Sequence, residues 1–146
     1  MITITPTDGM EIHEDTRLAP GVYVVPRGLQ IAADGVILDG TGATLIGQGA
    51  QGVGVRIEGR RGVTVRGLAI AHYQYGIRAD DCQDLTLTGN VITRTAELEP
   101  FKHFLYLWKP VEDAYGGAIL LHQVQGGLVA GNDLQHQQNG VMLYAC

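Results

Sequence analysis

The stretch that decides the fold is GIRADDCQDLTLTGNVITR, residues 76–94. Apolar residues alternate with polar ones in three short runs, a pattern typical of strands, and a Gly-Asn pair separates the second run from the third. GVRIEGRRGVTVRGLAIAH, which begins upstream at Gly54, places apolar residues at the same positions. The offset between the two segments predicts a repeating unit of about 22 residues with three strands.

The unit returns after an insertion. AILLHQVQGGLVAGNDLQH begins at Ala118 and GVMLYAC at Gly140, so the same period separates these two segments. The interval from Gly76 to Ala118 is longer than one period, and the excess corresponds to TAELEPFKHFLYLWKPVEDA, residues 95–114. We therefore expect a single domain, 1–146, with N-terminal coils at 1–53, regular coils at 54–94 and 115–146, and an inserted flap at 95–114.

Three strands in a unit of this length predict an all-β fold, a right-handed parallel β-helix whose coils stack about 4.8 Å apart. Asn90 and Asn132 have the same position in the repeat, each preceded by a glycine, Gly89 or Gly131, where a tight bend needs positive φ. We expect each Asn to bond the backbone of its own coil and to stack on the next Asn, and Leu68 to end this ladder.

Composition excludes several classes of protein. The chain has 146 residues, 45% of them hydrophobic, which is enough for one sizeable core. A formal charge of −5 without a basic cluster argues against nucleic acid as a partner, and no apolar run is long enough to span a membrane. MITITPTDGM lacks the features of a signal peptide, so a secreted or periplasmic location would require that a signal had been removed.

LAPGVYVVPRGLQIAADGVILDG, residues 18–40, resembles the first coil of the pectate-lyase-like superfamily. The chain as a whole is similar to the repeats of NosD-like carbohydrate-binding and sugar-hydrolysis β-helix domains. This resemblance implies that a polysaccharide or oligosaccharide lies across the outer face of the first parallel sheet, which contains the first strand of each unit. The outward positions of that sheet are Arg56, Glu58, Arg78, Asp80, Leu120, His122, Met142 and Tyr144.

These outward residues suggest two chemistries and one inert alternative. A lyase or epimerase acting on an acidic sugar needs a cation, a base and an acid, which Arg78, His122 and Tyr144 supply. A retaining glycoside hydrolase needs two nearby carboxylates, which Glu58 and Asp80 supply. The alternative is a solvated lattice of charges that offset one another diagonally between coils. Whether the protein is an enzyme is left open, against a noncatalytic scaffold or periplasmic accessory domain.

The flap concentrates residues that bind sugars. It contains four of the nine aromatic residues, including Trp108, and both lysines, Lys102 and Lys109. Aromatic faces stack on sugar rings and lysines attract acidic substrates. With Arg56 and Tyr115, these three residues form the predicted substrate-binding set; the alternative is a loop that buries its own aromatics or covers a subunit contact.

No metal cluster appears at ligand spacing, so no cofactor is expected, although calcium could be held by the acidic turn of Asp80, Asp81 and Asp84. Cys82 and Cys146 lie two coils apart, too far for a disulfide, and should be free thiols. GVMLYAC ends within a coil and would leave an apolar edge open. We expect that edge to be covered either by further coils of a longer natural chain or by a second copy in a homo-oligomer.

Overall fold

A computed structural model describes residues 1–96, 111, 114–137 and 139–146. The described residues form seventeen short strands: β1 (Ile2–Ile4), β2 (Met10–Ile12), β3 (Thr16–Leu18), β4 (Gly21–Val24), β5 (Leu29–Ile31), β6 (Ile37–Asp39), β7 (Ala43–Ile46), β8 (Val53–Glu58), β9 (Thr64–Arg66), β10 (Ala69–Ala71), β11 (Tyr75–Asp80), β12 (Gln83–Thr88), β13 (Val91–Thr93), β14 (Gly117–His122), β15 (Gln125–Ala130), β16 (Asp133–Gln135) and β17 (Val141–Tyr144). Within the same residues, no helix has the length and apolar character needed to cross a membrane.

The strands form three parallel sheets that run the length of the molecule. The first sheet has the order β17-β14-β11-β8-β5-β2, the second β1-β3-β6-β9-β12-β15, and the third β16-β13-β10-β7-β4. Because the chain visits the sheets in turn, each complete coil contributes one strand to each, from β2-β3-β4 to β14-β15-β16. The fold is thus a parallel β-helix with three strands per coil, as the sequence predicts.

The register between coils confirms the predicted period. Ile77 pairs with Val55 in the coil before it and with Ile119 in the coil after it. Ile119 in turn pairs with Val141, at the same spacing that separates Val55 from Ile77. The insertion between β13 and β14 therefore leaves the phase of the repeat unchanged.

The core is a column of inward-facing aliphatic side chains. Val55, Ile57 and Ile77 are fully buried, and Tyr73 is buried with them, its hydroxyl donating to the carbonyl of Val25 at 2.7 Å. Small residues are required where coils approach closely. A Cβ on Gly76 would lie 2.5 Å from Cγ2 of Ile92 and 2.7 Å from the carbonyl oxygen of Ala118, so no larger residue fits without displacing the backbone.

The Asn ladder forms at the corner between the second and third sheets. Oδ1 of Asn90 accepts from the Leu68 N–H at 3.1 Å, and Nδ2 donates to the carbonyl of Val65 at 3.1 Å. Nδ2 also donates to Oδ1 of Asn132 at 3.1 Å, so the amides stack as expected and Leu68 ends the ladder. The expectation that each Asn bonds its own coil is wrong, because both backbone partners belong to the preceding coil.

The last coil is exposed along its upper edge. Val141 and Leu143 are 44% and 64% exposed, since no described strand pairs with the free side of β17. The covering of this edge by further coils or by a second copy stays a prediction. Cys82, which is buried, and Cys146, which is exposed, are both free thiols, as the coil spacing predicts.

Replacing Asn90 with Ala should lower the free energy of unfolding by about 1 to 3 kcal/mol, because the substitution leaves the buried N–H of Leu68 unpaired and removes a hydrogen bond to the carbonyl of Val65. Asn132→Ala is the matched control and should cost less, because Asn132 is only half-buried. Urea denaturation measures both. Equal losses in the two variants would contradict the role of Asn90 as the buried link between coils.

Candidate functional site

The register of the first sheet assembles the candidate residues into two columns on its outer face. Arg78 pairs with Arg56 on one side and with Leu120 on the other, and Leu120 pairs with Met142. The neighbouring column contains Glu58, Asp80, His122 and Tyr144, in that order along successive coils. The sequence therefore placed these residues correctly on one face, whereas their roles remain predictions.

The ion pairs on this face run along the strands. Nε of Arg78 lies 3.0 Å from Oδ2 of Asp80, and Nη2 lies 3.3 Å from Oδ1. Arg56 makes the equivalent contact with Glu58, at 3.2 Å between Nη1 and Oε1. Residues i and i+2 of a strand share a face, which permits this geometry. The direct ion pairs therefore run along the strands, while the expected diagonal offset between coils is a weaker attraction, since the charge of Glu58 contributes to the raised pKa of Arg78.

Asp80 also joins two coils. Its Oδ1 lies 3.0 Å from Nδ1 of His122, which belongs to the next coil. Because a carboxylate can only accept, the proton of a neutral His122 ring belongs on Nδ1, and Nε2 is left as an acceptor. Within the described part of the chain, Nε2 makes no hydrogen bond. The Arg78, Asp80 and His122 side chains, which we call the Arg-Asp-His cluster, are 17% to 26% exposed, so solvent reaches them only in part.

The environment of Asp80 keeps its carboxyl group ionised. Burial alone raises the pKa of Asp80, but the hydrogen bonds from Arg78 and His122 and the charge of Arg78 outweigh burial and hold that pKa below the usual value of 3.8. Asp80 is thus suited to orient a histidine and not to donate a proton at neutral pH. This counts against Asp80 as the general acid of a retaining hydrolase.

The end of the flap lies on the same face. Val111 and Ala114 pack with Val53 and Leu120, and Leu120 is fully buried although it points outward from the sheet. This confirms that the described end of the insertion lies beside the first sheet. The middle of the insertion, with the predicted ligands Lys102, Trp108 and Lys109, lies outside the described residues. Tyr115 is half-buried beside Ala114, and its substrate-binding role stays a prediction.

Sequence reasoning missed Tyr75. Its hydroxyl donates to the carbonyl of Ala114 at 3.1 Å, and the guanidinium carbon of Arg78 lies 5.5 Å from the centre of its ring. Burial raises the pKa of Tyr75, so it stays a neutral donor. The sequence did contain a signal for Tyr75. The residues in register with it in the two neighbouring coils are Val53 and Gly117, so the tyrosine departs from the repeat.

The acidic turn at 80–84 does not gather into a metal site. In the part of the chain that the structure describes, no group of three or more His, Cys, Asp or Glu side chains is placed to hold a metal ion. Asp80 turns its carboxylate toward Arg78 and His122, while Asp81 and Asp84 are exposed on the turn. The three carboxylates expected to bind calcium therefore do not converge.

Comparisons of the chain with protein-family models, with curated proteins and with solved structures gave no significant match. The structure shows the parallel β-helix architecture, and the resemblance to the pectate-lyase-like superfamily stays a prediction. The class of protein defined here is a parallel β-helix with a hydrogen-bonded Arg-Asp-His cluster on the outer face of its first sheet.

Replacing Asp80 with Asn should make the protein less sensitive to acid. A depressed folded-state pKa contributes stability that is present above the unfolded-state pKa of about 3.8 and is lost as the pH falls through the folded value. The variant lacks this contribution, so its free energy of unfolding should fall less than that of the wild type between pH 5 and pH 2.5. These two pH values lie about one unit above and below the unfolded-state pKa.

The control for this measurement is Asp81→Asn, which neutralises the neighbouring exposed carboxylate. Urea denaturation at each pH gives the three profiles. If Asp80→Asn followed the wild-type profile, the cluster would make no contribution to folding that depends on the charge of Asp80.

Proposed function

We propose that the protein binds an acidic oligosaccharide or polysaccharide along the outer face of the first sheet, with the Arg-Asp-His cluster at the centre of the site. The observation that carries this proposal is the hydrogen-bonded set itself. Arg78, Asp80 and His122 are half-buried, joined across two coils and bordered by the end of the flap. Partly enclosed ionisable groups held in a fixed geometry are characteristic of functional sites.

Arg78 is suited to recognise the sugar carboxylate. Its guanidinium has five N–H donors, and Asp80 occupies those on Nε and Nη2 in part, which leaves Nη1 for a ligand. Arg56 lies one coil below and adds a second cation to the same column. The ion pair with Asp80 also fixes the Arg78 side chain, so binding would cost little additional conformational entropy.

His122 is suited to act as the base. In a β-elimination, Nε2 would take the proton from C5 of a uronic acid unit, the electron pair would form the C4–C5 double bond, and the C4–O bond would break. Tyr144, next in the column, would donate its hydroxyl proton to the leaving oxygen. In an epimerisation, C5 would instead be reprotonated from the opposite face of the ring. Asp80 positions the imidazole in either case.

A noncatalytic binding module is the second candidate. The carboxylate of Asp80 already balances the charge of Arg78, so the cluster also serves as a brace between β11 and β14. In that function the sheet face and the flap would hold a polysaccharide without cleaving it. The two candidates share the ligand class and differ in whether His122 reacts.

His122→Ala should abolish turnover of the uronic acid polymer that the wild-type protein acts on. The side chain is partly exposed and makes one hydrogen bond to the described residues, so the stability loss should be about 1 kcal/mol. The control is His136→Ala, an exposed histidine in the turn after β16. Absorbance of the new double bond measures elimination, and proton NMR of the polymer measures epimerisation.

The outcomes separate the candidates. Loss of turnover in His122→Ala alone supports the enzyme. Binding of a uronic acid polymer without turnover, weakened by Arg78→Ala, supports the binding module. A wild-type protein that neither binds nor converts polymers of galacturonic, glucuronic, mannuronic or guluronic acid would overturn the proposed function.

A further inference from the structure

A polar groove lies at the turn between the first and second sheets, outside the Arg-Asp-His cluster. It has a volume of about 410 Å³ and is lined by Asp81, Cys82, Gln83, Gln123, Gln125 and Ala145. We call it the glutamine groove. Asp81 follows Asp80 in the chain and Gln123 follows His122, so the groove borders the cluster directly.

The walls of the glutamine groove are two columns parallel to the axis of the β-helix. Asp81 and Gln123 occupy the same turn position in successive coils, the N–H of Asp81 donating to the carbonyl of His122 at 2.9 Å. Gln83 and Gln125 face each other in register in the second sheet. Cys82 is buried between the two columns as the floor. Polar groups therefore repeat along the groove at the coil spacing of about 4.8 Å.

The three glutamine amides are available to a ligand. Gln83, Gln123 and Gln125 are all exposed, and their side chains make no hydrogen bond within the described part of the chain. Each amide offers two donors and one acceptor. A sugar hydroxyl is likewise both donor and acceptor, so neighbouring hydroxyls on a ring can satisfy a pair of amides.

The turn beside the groove has non-glycine residues in a backbone conformation that glycine adopts at lower energy. Asp81 and Gln123 have φ values of 55° and 54°, and Gly59, at the same position of the preceding coil, has 62°. Glycine adopts this conformation without the steric cost of a Cβ. Ala145, at the same position of the following coil, has a φ of 53°, so this conformation belongs to the turn and places Asp81 and Gln123 side by side along the groove.

The charges at the glutamine groove indicate a neutral ligand. The described lining residues include no lysine or arginine, since Arg61, which pairs with Gln83 in the preceding coil, lies outside the lining. Asp81 contributes a negative charge that disfavours a carboxylate nearby. Burial raises the pKa of the Cys82 thiol, which therefore forms an inert floor and not a nucleophile.

We propose that the glutamine groove binds neutral, hydroxyl-rich sugar units through the amides of Gln83, Gln123 and Gln125. The two sites adjoin, so a polysaccharide with both acidic and neutral units would contact both. That link rests on the proposed function of the first sheet. Binding of neutral units at the groove is a separate event and is measured separately.

The test is an NMR titration of the isotopically labelled protein with neutral hexasaccharides of glucose, xylose and mannose. We expect at least one hexasaccharide to shift the side-chain amide signals of Gln83, Gln123 and Gln125 in a saturable way. The double variant Gln83→Ala with Gln125→Ala should weaken its binding about tenfold or more. The control is Gln135→Ala, an exposed glutamine of the third sheet, which should bind as the wild type does.

The proposal is overturned if none of the hexasaccharides shifts these signals at about 10 mM, a concentration that detects millimolar affinity. It is also overturned if the double variant, shown to be folded by circular dichroism, binds as tightly as the wild type. His122→Ala should leave neutral binding intact. A wild-type protein that binds a neutral hexasaccharide but neither binds nor converts any uronic acid polymer would refute the proposed function and not the groove.

Discussion

Parallel pairing between successive coils is the constraint on which the rest of the structure depends. The backbone N–H and C=O groups of a short strand are paired only if the strand of the next coil lies in register with it. All three sheets must meet this condition in every coil. Because side chains alternate with period 2, a slip of one residue would turn the core side chains outward. Asn90 helps to prevent such a slip, since its buried amide bonds the backbone of the preceding coil at Val65 and Leu68.

The candidate site is a consequence of that register. Asp80 and His122 lie on opposite sides of the insertion in the chain, and they meet only because the insertion returns the chain at an unchanged phase. The same pairing aligns Gln83 with Gln125 along the glutamine groove. A parallel β-helix thus converts a sequence repeat into columns of side chains at fixed spacing.

The sequence predicted the features that depend on period and phase. These are the length of the coil, the outward placement of Asp80 and His122, and the free thiols. It did not predict features that depend on side-chain torsions, such as the pairing of Arg78 with Asp80 along one strand. The period fixes which face a side chain is on but not the direction in which it turns.

Turn conformations were missed for a related reason. Positive φ at a non-glycine residue such as Gln123 has no strong sequence signal, so the groove beside it was not predicted. Tyr75 was missed because its contacts are with the end of the insertion, which follows no repeat. The aromatic residues in the middle of that insertion are the part of the predicted site that stays a prediction.

The most direct test of the coil register is a cysteine cross-link across the insertion. Thr86 and Leu128 are in register on the outer face of the second sheet, with Cα atoms about 4.8 Å apart, which is within disulfide range. With Cys82 and Cys146 replaced by Ser, Thr86→Cys with Leu128→Cys should oxidise to an intramolecular disulfide, detected by mass spectrometry. Thr86→Cys with Ala130→Cys, displaced by two residues, should not. A cross-link in the second variant and not the first would contradict the register, and with it the placement of Asp80 beside His122.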